Sequence, residues 1–507
     1  MRARTLVAGL AIAGLAVASP SRAQLALVGD AVQSPPPAGV GAVRWPDVAY
    51  DPDADLYLAI SGSVHVAGRF VSADGTPRDA SFVLDAASAY AQAPRVAHVA
   101  GAGFLVAWHE SVEGATELRG RVVRADGSFA TGDLVLSPRG TNWEMGAALA
   151  SSPASHVALV AWQSIPERQI VAQRIDVSAS ALGQRLGEPI VVDPRAIYFR
   201  DPAVVHHGPS DRFVIAYADC VADGACAVHA QRIDASSGAR VGEPILLEDG
   251  VDAGYVPELA MIAHTGQVLA IWYVRTGFSA AFHARTLDGE GALGPLREVG
   301  MLGSYDANGV AYAPRSGTVL FVTHGAGAQD VAIELDATGA PMGAPVDFGP
   351  AGSTGNFNPR VVASTREARW LAVTSTQFSA ITTQVLATAS RDPSLASDAG
   401  ASDDAGPSGD AGPIDAGSFD AGPLDPARDA GASGDAGHGR GSASGCGCRL
   451  GASPGSVRAT WISIALLALG VGLRAARARR ARRAPDPRGD DRRRDRPRSP
   501  RGHRRAA

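Results

Sequence analysis

Short apolar or alternating runs, each closed by Gly, Asp, Ser or Pro, follow one another from about residue 24 to residue 390. One unit shows the pattern most clearly, with runs at 94–97, 104–108, 118–123 and 134–136. A run of this kind before a turn is typical of a β-strand, and Asp126-Gly127 after the third run is a hairpin signal. The unit is therefore predicted to be a four-stranded antiparallel meander.

This unit recurs seven times, at intervals of about 50 residues. The second run of each unit ends, in chain order, at Ile60, Trp108, Trp162, Tyr217, Trp272, Thr323 and Thr374. Four short strands per repeat favour a propeller over a helical solenoid. We therefore predict an all-β fold, a seven-bladed β-propeller of four-stranded antiparallel blades over residues 24–390.

The seventh unit has no fourth run, whereas the apolar residues 25–29 precede the first unit and belong to none. They resemble residues 188–192 and 243–247, which end the third and fourth units. We expect this N-terminal strand to complete blade seven by pairing with residues 382–386. Closure of this kind removes the exposed sheet edges of an open ring.

An arginine recurs in the third run of five units, at matching positions: Arg69, Arg121, Arg174, Arg232 and Arg285. Such a series can line a polyanion site, or it can hold neighbouring blades and turns together. The sequence favours the second interpretation.

Residues 1–23 contain Arg2 and Arg4, an apolar run over 6–18, and small residues before Gln24. This is the pattern of a secretory signal peptide. The exported protein meets an oxidising compartment, where Cys220 and Cys226 are predicted to form a disulfide bond.

Residues 391–445 are rich in Asp, Ala, Gly and Pro, and their composition predicts a disordered acidic linker. Residues 474–507 contain 15 arginines and 4 aspartates, which give a formal charge of +11. Because the whole chain carries −5, the residues before Arg474 carry about −16. The whole-chain charge therefore hides an acidic body and a basic end, and residues 484–507 are predicted to be a disordered Arg-rich tail.

Residues 446–483 combine Cys446-Gly447-Cys448, an apolar run over 459–473 and an arginine cluster. This order resembles the myxobacterial C-terminal sorting signals called MYXO-CTERM. The resemblance implies removal of the segment and attachment of the exported protein at the cell surface through Cys446 or Cys448. The alternative is a single-span anchor: the apolar run predicts a short C-terminal helix, with the arginines on the cytoplasmic side.

The segments that join successive blades carry one aromatic position per blade, at Trp45, Tyr90, Trp143, Tyr198, Tyr255, Tyr305 and Phe357. The loops after the second strands add His109, Glu110, Asp219 and His324 to the same predicted face. Aromatic rings of this kind can stack on sugars or contact a peptide. The alternative is that the aromatic rings pack over the next blade and the polar residues form an ordinary rim.

The sequence contains no phosphate loop, nucleotide fingerprint or nucleic-acid module, and no cofactor or metal is predicted. The leading function is a cell-envelope-anchored binding or scaffold protein that recognises an extracellular polysaccharide or surface protein. Its other expected partners are the export and sorting machinery and, through the C-terminal segment, the membrane; no nucleic acid is expected.

The alternative is an extracellular carbohydrate-active hydrolase or lyase that uses the same face. Two or more carboxylates at the channel mouth would favour the enzyme, and a flat aromatic rim without them would favour binding.

Overall fold

Seven four-stranded antiparallel sheets make up the described part of the chain, as the repeat predicts. The computed structural model describes residues 24–388 except 86–90, 113–114, 138–146, 165–167, 195–201, 221–224, 253–254, 277–278, 301–302, 326–328, 351–355 and 377–378. The predicted signal peptide, linker and sorting segment, with Cys446 and Cys448, lie outside the described residues.

The first six blades each take four consecutive strands. Blade 1 consists of β2 (Asp47–Asp51), β3 (Leu56–Gly62), β4 (Val66–Ser72) and β5 (Phe82–Val83); blade 2 of β6 (Ala91–Val99), β7 (Gly103–Val112), β8 (Ala115–Val123) and β9 (Leu134–Val135). Blade 3 consists of β10 (Ala148–Ser152), β11 (Val157–Ser164), β12 (Gln169–Asp176) and β13 (Arg185–Asp193); blade 4 of β14 (Ala203–His207), β15 (Arg212–Cys220), β16 (Ala225–Asp234) and β17 (Arg240–Asp252). A 3-10 helix, Gly208–Ser210, separates β14 from β15.

Blade 5 consists of β18 (Tyr255–Ile262), β19 (Gln267–Thr276), β20 (Ser279–Asp288) and β21 (Arg297–Gly300); blade 6 of β22 (Gly303–Ala313), β23 (Thr318–Gly325), β24 (Asp330–Leu335) and β25 (Val346–Phe348). Blade 7 joins β26 (Asn356–Ala363), β27 (Arg369–Thr376) and β28 (Ala380–Thr388) to β1 (Leu25–Ser34). The first strands of neighbouring blades contact one another all the way around, and the first strands of blades 7 and 1 complete the ring.

Each second strand is apolar on both of its faces because both faces are buried. In blade 1, Leu58 and Ile60 pack toward blade 2, whereas Tyr57 and Ala59 pack toward blade 7. Every pair of neighbouring blades encloses one such cluster of buried side chains. The near-continuous apolar runs of the sequence therefore reflect strands sandwiched between two blades, as in other doubly covered sheets.

The N-terminal strand closes the ring, which confirms the prediction. Leu25 pairs with Thr388 and Val28 with Val385, and the pairing continues beyond a bulge to Ser34. At the same junction, the Ser364 hydroxyl donates to the Tyr50 hydroxyl at 3.4 Å. Blades 7 and 1 are thus joined by side chains as well as by the shared N-terminal strand.

The fourth strands of blades 3, 4 and 7 share a bulge at a glycine with positive φ: Gly187, Gly242 and Gly29. In each, the side-chain amide of a third-strand glutamine, namely Gln173, Gln231 or Gln384, donates to the carbonyls at the bulge. Residues 28–32 therefore correspond to 186–190 and 241–245. The predicted alignment of 25–29 with 188–192 identified the right strands in the wrong register.

The third-strand arginines do not all occupy one position. In their pairing with the second strand, Gln173 of blade 3 and Gln231 of blade 4 occupy the position of Arg121 in blade 2. Arg174 and Arg232 therefore lie one residue further along their strands. The second and third strands pair without a register shift in all three blades, so the arginine itself has moved by one residue along its strand.

Four of these arginines contact blade junctions and turns, as the structural interpretation predicts. The contacts are Arg121 to Asp133, Arg174 to the Ser236 carbonyl, Arg232 to the Gly289 carbonyl at 2.8 Å, and Arg285 to the Leu247 carbonyl at 2.8 Å. Three of the four contacts cross from one blade to its neighbour.

In blade 1, the repeat marker is displaced by one residue. In blade 2, the third-strand Arg121 pairs with Val106, which lies two positions before the marker Trp108. Applied to Arg69 and its partner Ala59, this rule identifies Ser61, and not Ile60, as the equivalent position.

The predicted disulfide is present. Cys220 and Cys226 stand directly opposite each other on β15 and β16, with Cα atoms 4.0 Å apart, and their sulfur atoms are bonded. Among the described residues, there is no helix with the length and apolar character that a membrane span requires. The predicted hydrophobic helix over 459–473 lies outside that part of the chain.

Candidate functional site

A cavity of about 160 Å³ lies within the ring of first strands. It is near the N-terminal ends of these strands, which the blade-joining segments precede. Its charged lining residues are Asp47, Arg95, Glu258 and Arg360. The other lining residues are Val96, Ala148, Leu149, Pro202, Ala203, Val204, Pro257, Leu259, Gly309, Val310 and Val361. Most lining residues are thus apolar, but the surface that the lining exposes to the cavity is more polar than apolar.

The charged residues share one position in the repeat. In each blade, one first-strand residue pairs with the second-strand residue that directly precedes the marker, where Ser61 is the marker of blade 1. These first-strand residues are Asp47, Arg95, Ala148, Ala203, Glu258, Gly309 and Arg360. Blades 1, 2, 5 and 7 place a charged residue at this level, whereas blades 3, 4 and 6 place Ala or Gly there. The small residues leave the space, and the charged residues line it.

The sequence contains a signal for these cavity-lining positions that the strand pattern alone does not reveal. Each charged residue directly follows a proline, in Pro46-Asp47, Pro94-Arg95, Pro257-Glu258 and Pro359-Arg360. Proline cannot donate to a strand ladder, so it marks the start or the free edge of a strand. Pro46 directly precedes β2, and the other three prolines lie at an irregularity in the pairing of β6, β18 and β26 with their second strands. The charged residue after each proline is therefore the one at which regular pairing begins, beside the channel.

Glu258 and Arg360 form an ion pair that links blades 5 and 7. The Arg360 Nη1 atom donates to a Glu258 carboxylate oxygen and, at 2.6 Å, to the Asn308 carbonyl of blade 6. The two side chains are only 17% and 12% exposed. Burial raises the pKa of Glu258 above its usual value, although the charges of Arg360 and Arg95 act to lower it.

Asp47 connects blades 1 and 2 at the same level. Its Oδ2 atom accepts a hydrogen bond from the backbone N–H of Val96 at 2.9 Å. This bond fixes the carboxylate beside Arg95, the next charged residue around the ring. Both acidic side chains of the cavity are thus held in place by a defined partner.

His109 is buried, with 3% exposure, on β7 next to the cavity-lining residue Arg95. Neither ring nitrogen has a hydrogen-bond partner within the described part of the chain. Burial, with a smaller contribution from the Arg95 charge, lowers the pKa of His109 to about 4. The imidazole is therefore neutral at pH 7 and carries unused donor and acceptor capacity, which is rare for a buried polar group.

The other predicted polar residues lie on the second strands themselves, and not in the loops after them, because the strands continue beyond their markers. Glu110 accepts from the Trp108 indole at 3.3 Å and pairs with Arg119 at 3.3 Å. The His324 Nδ1 atom lies 3.1 Å from a carboxylate oxygen of the buried Asp330.

Asp219 is half-buried on β15. The contacts of Glu110 and His324 lie within their own blades, and neither residue lines the cavity.

Of the seven predicted aromatic residues, Trp45 has a described side chain. It is half-buried, two residues before Asp47, and the Arg44 guanidinium carbon lies 5.8 Å from its ring centroid. Tyr255, Tyr305 and Phe357 belong to the first strands β18, β22 and β26 rather than to connecting segments, and only their backbone is described. Tyr90, Trp143 and Tyr198 lie outside the described residues.

A second cluster of charged side chains lies at the other end of the first strands, between blades 1 and 2. Asp51, Asp53 and His98 each place one ligand atom within 4.8 Å of the others. Asp51 also accepts from the backbone N–H groups of Asp53 and Ala54, at 2.8 and 3.0 Å. These bonds form the turn between β2 and β3.

No family model matches the chain, and no curated protein is similar to it. Solved structures similar to the chain include the Dos1 propeller, with 12% identity and a TM-score of 0.41 over 68% of this chain and 82% of that one. The β-propeller domain of Cps50 (Swd1) from Myceliophteria thermophila has 10% identity and a TM-score of 0.43, over 71% and 99% of the two chains.

A triple arginine-to-alanine mutant of AofleA from Arthrobotrys oligospora has 9% identity and a TM-score of 0.40, over 70% of this chain and 86% of that one.

Proposed function

We propose that this protein is an extracellular binding module of the cell envelope, and that the channel cavity is its ligand site. One observation carries the proposal: four charged side chains from four blades meet at one level of the cavity. Charged groups are rarely gathered in a buried place without a partner or a function.

The charged groups are arranged for recognition. The Glu258 carboxylate is held by Arg360, and Asp47 is held by the Val96 backbone. Groups fixed before the ligand arrives lose little conformational freedom on binding, and this favours affinity. The ligand expected for such a module is an extracellular polysaccharide or a surface protein.

A binding screen of the full-length protein against extracellular polysaccharides and surface-protein extracts tests this proposal. We expect at least one specific ligand, and at least tenfold weaker binding for the Arg95→Met and Glu258→Gln variants. An Asp74→Asn variant, altered in an exposed turn, is the matched control and should bind normally. Failure of all ligands to bind, or equal binding by all variants, would contradict the proposal.

A second candidate function is carbohydrate hydrolysis or lysis at the same cavity. Two carboxyl groups, Asp47 and Glu258, line it, which is the feature predicted from the sequence to favour the enzyme. The raised pKa of Glu258 also suits a group that donates a proton. Release of reducing ends from a bound polysaccharide by the wild type, and its loss in Glu258→Gln, would favour this function over simple binding.

Envelope attachment is the part of the proposal supported by sequence alone, through the signal peptide and the resemblance of residues 446–483 to MYXO-CTERM segments. Serine at both Cys446 and Cys448 should then abolish processing and release the protein from the cell surface. An unprocessed protein that stays on the envelope in this double variant would indicate a single-span anchor instead.

A further inference from the structure

We propose that the channel cavity holds one uncharged sugar ring, the terminal pyranose of an extracellular polysaccharide. This inference rests on the proposed binding function and names its ligand class. It follows from the size of the cavity, its balance of charge and the mainly polar surface of its wall.

The volume limits the occupant to a single ring. An apolar cavity of about 150 Å³ in a protein core holds one benzene molecule, whereas sites for drug-sized ligands occupy roughly 300–1,000 Å³. The cavity here measures about 160 Å³. A polysaccharide or peptide segment of several residues exceeds this space, so only a chain end can enter.

The charge balance favours an uncharged ligand. The lining holds two guanidinium groups, of Arg95 and Arg360, and two carboxyl groups, of Asp47 and Glu258. A ligand with its own net charge would upset this balance in a poorly solvated place, and burying an unbalanced ion is far more costly than burying a hydroxyl that is hydrogen-bonded. Anionic and cationic sugars should therefore bind less well than neutral ones.

Hydroxyl groups also suit the mixture of partners on the wall. A hydroxyl both donates and accepts, so one sugar hydroxyl can accept from a guanidinium and donate to a neighbouring carboxylate. The two kinds of group do lie side by side at this level, since Arg360 pairs with Glu258 and Asp47 and Arg95 line the same cavity.

The residues that follow this level are aliphatic: Val96, Leu149, Val204, Leu259, Val310 and Val361, one from each of six blades. Their side chains pack in the buried clusters between neighbouring blades. They leave little apolar surface to the cavity, so a ligand meets mainly polar groups, which suits the hydroxyl groups of a pyranose.

The test is isothermal titration calorimetry of the full-length protein with glucose, galactose and mannose, compared with their uronic acids and 2-amino derivatives. We expect at least one neutral sugar to bind, and its charged analogues to bind at least tenfold more weakly. The same sugar should compete with the polysaccharide identified in the binding screen.

Two cavity-filling variants supply an independent readout. Ala148→Leu and Ala203→Leu place extra methyl groups in the cavity and should each weaken sugar binding at least tenfold. Ala54→Leu, in an exposed turn at the other end of the first strands, is the control and should bind as the wild type does. Thermal melting identifies a variant that fails to fold, and the competition measurement on the wild type then decides.

Failure of this inference is distinct from failure of the proposed function. Polysaccharide binding that no monosaccharide inhibits and that both leucine variants retain would overturn the sugar-ring inference, and the binding module would remain. Tighter binding of a uronic acid than of its neutral parent would overturn it as well. The absence of any polysaccharide or protein ligand would overturn the proposed function itself.

Discussion

Glu258 and Arg360 stand 102 positions apart in the sequence and meet in the channel as a largely buried ion pair. Removal of one partner from such a pair leaves an uncompensated charge and typically costs about 3–5 kcal/mol, whereas an apolar replacement of both can be neutral. The pair is therefore a weak device for stability alone. Its place in the cavity wall gives it a better explanation as part of a ligand site.

His109 provides a test of burial at the scale of one residue. We expect wild-type stability to fall as the pH decreases from about 6.5 to 4. The unfolded chain takes up a proton in this range, whereas the folded protein holds the pKa of His109 at about 4. The loss should be on the order of 3 kcal/mol. In His109→Leu, most of it should disappear, as measured by urea unfolding at pH 7 and pH 4.5.

His156→Asn serves as the control, because His156 is exposed and asparagine tolerates its left-handed backbone conformation. Glu258, whose pKa is raised, contributes with the opposite sign: its stabilising contribution decreases as the pH rises through that raised pKa. It is common to all three proteins and cancels in the comparison. A His109→Leu variant as acid-sensitive as the wild type would contradict the burial of a neutral imidazole.

At the scale of the element, the cysteine pair joins two strands across a short loop. A disulfide that closes a loop of this size stabilises by about 2 kcal/mol in the chain-entropy account. We expect a Cys220→Ala and Cys226→Ala double variant to lose about that much free energy of unfolding and still to fold. A reductant should lower the melting temperature of the wild type and leave that of the variant unchanged.

Free thiols at both positions in protein purified without reductant, found by mass spectrometry, would contradict the disulfide. No change in melting temperature on reduction would show that the bond contributes little to stability.

The elements themselves were largely predictable because strand and turn signals are local. Asp126-Gly127 and the apolar run over 104–108 identify a hairpin without any knowledge of the rest of the chain. Register was less predictable. The bulges at Gly29, Gly187 and Gly242 shift the pairing of the fourth strands, and no apolar pattern reports them. The one-residue offset of Arg174 and Arg232 is likewise visible only in the strand pairing.

At the scale of the whole molecule, the candidate site depends on ring closure, which explains why the sequence did not reveal it. Asp47, Arg95, Glu258 and Arg360 come together only when all seven blades are in place. The predicted polar residues Glu110 and His324 lie near loops in the sequence, and in the structure each pairs with a residue of its own blade. Proline before a charged residue was the available signal.

Closure by the N-terminal strand leads to a prediction about the whole ring. Deletion of residues 24–34 leaves β28 as an open sheet edge, and exposed edges promote pairing between molecules. We expect a lower melting temperature and concentration-dependent aggregation, measured by scanning calorimetry and light scattering. Leu27→Lys, at a residue that is 39% exposed on the same strand, should leave both properties nearly unchanged.

A deletion variant that stays monomeric and melts with the wild type would show that the side-chain contacts between blades 7 and 1 are sufficient for closure.

The most direct test of the central claim, that the channel cavity is the ligand site, is hydrogen exchange of the full-length protein with and without the polysaccharide that binds most tightly in the screen. The account predicts slower exchange in the first strands that line the cavity, β6 (Ala91–Val99), β18 (Tyr255–Ile262) and β26 (Asn356–Ala363). Slower exchange confined to the fourth strands, with these three first strands unchanged, would contradict it.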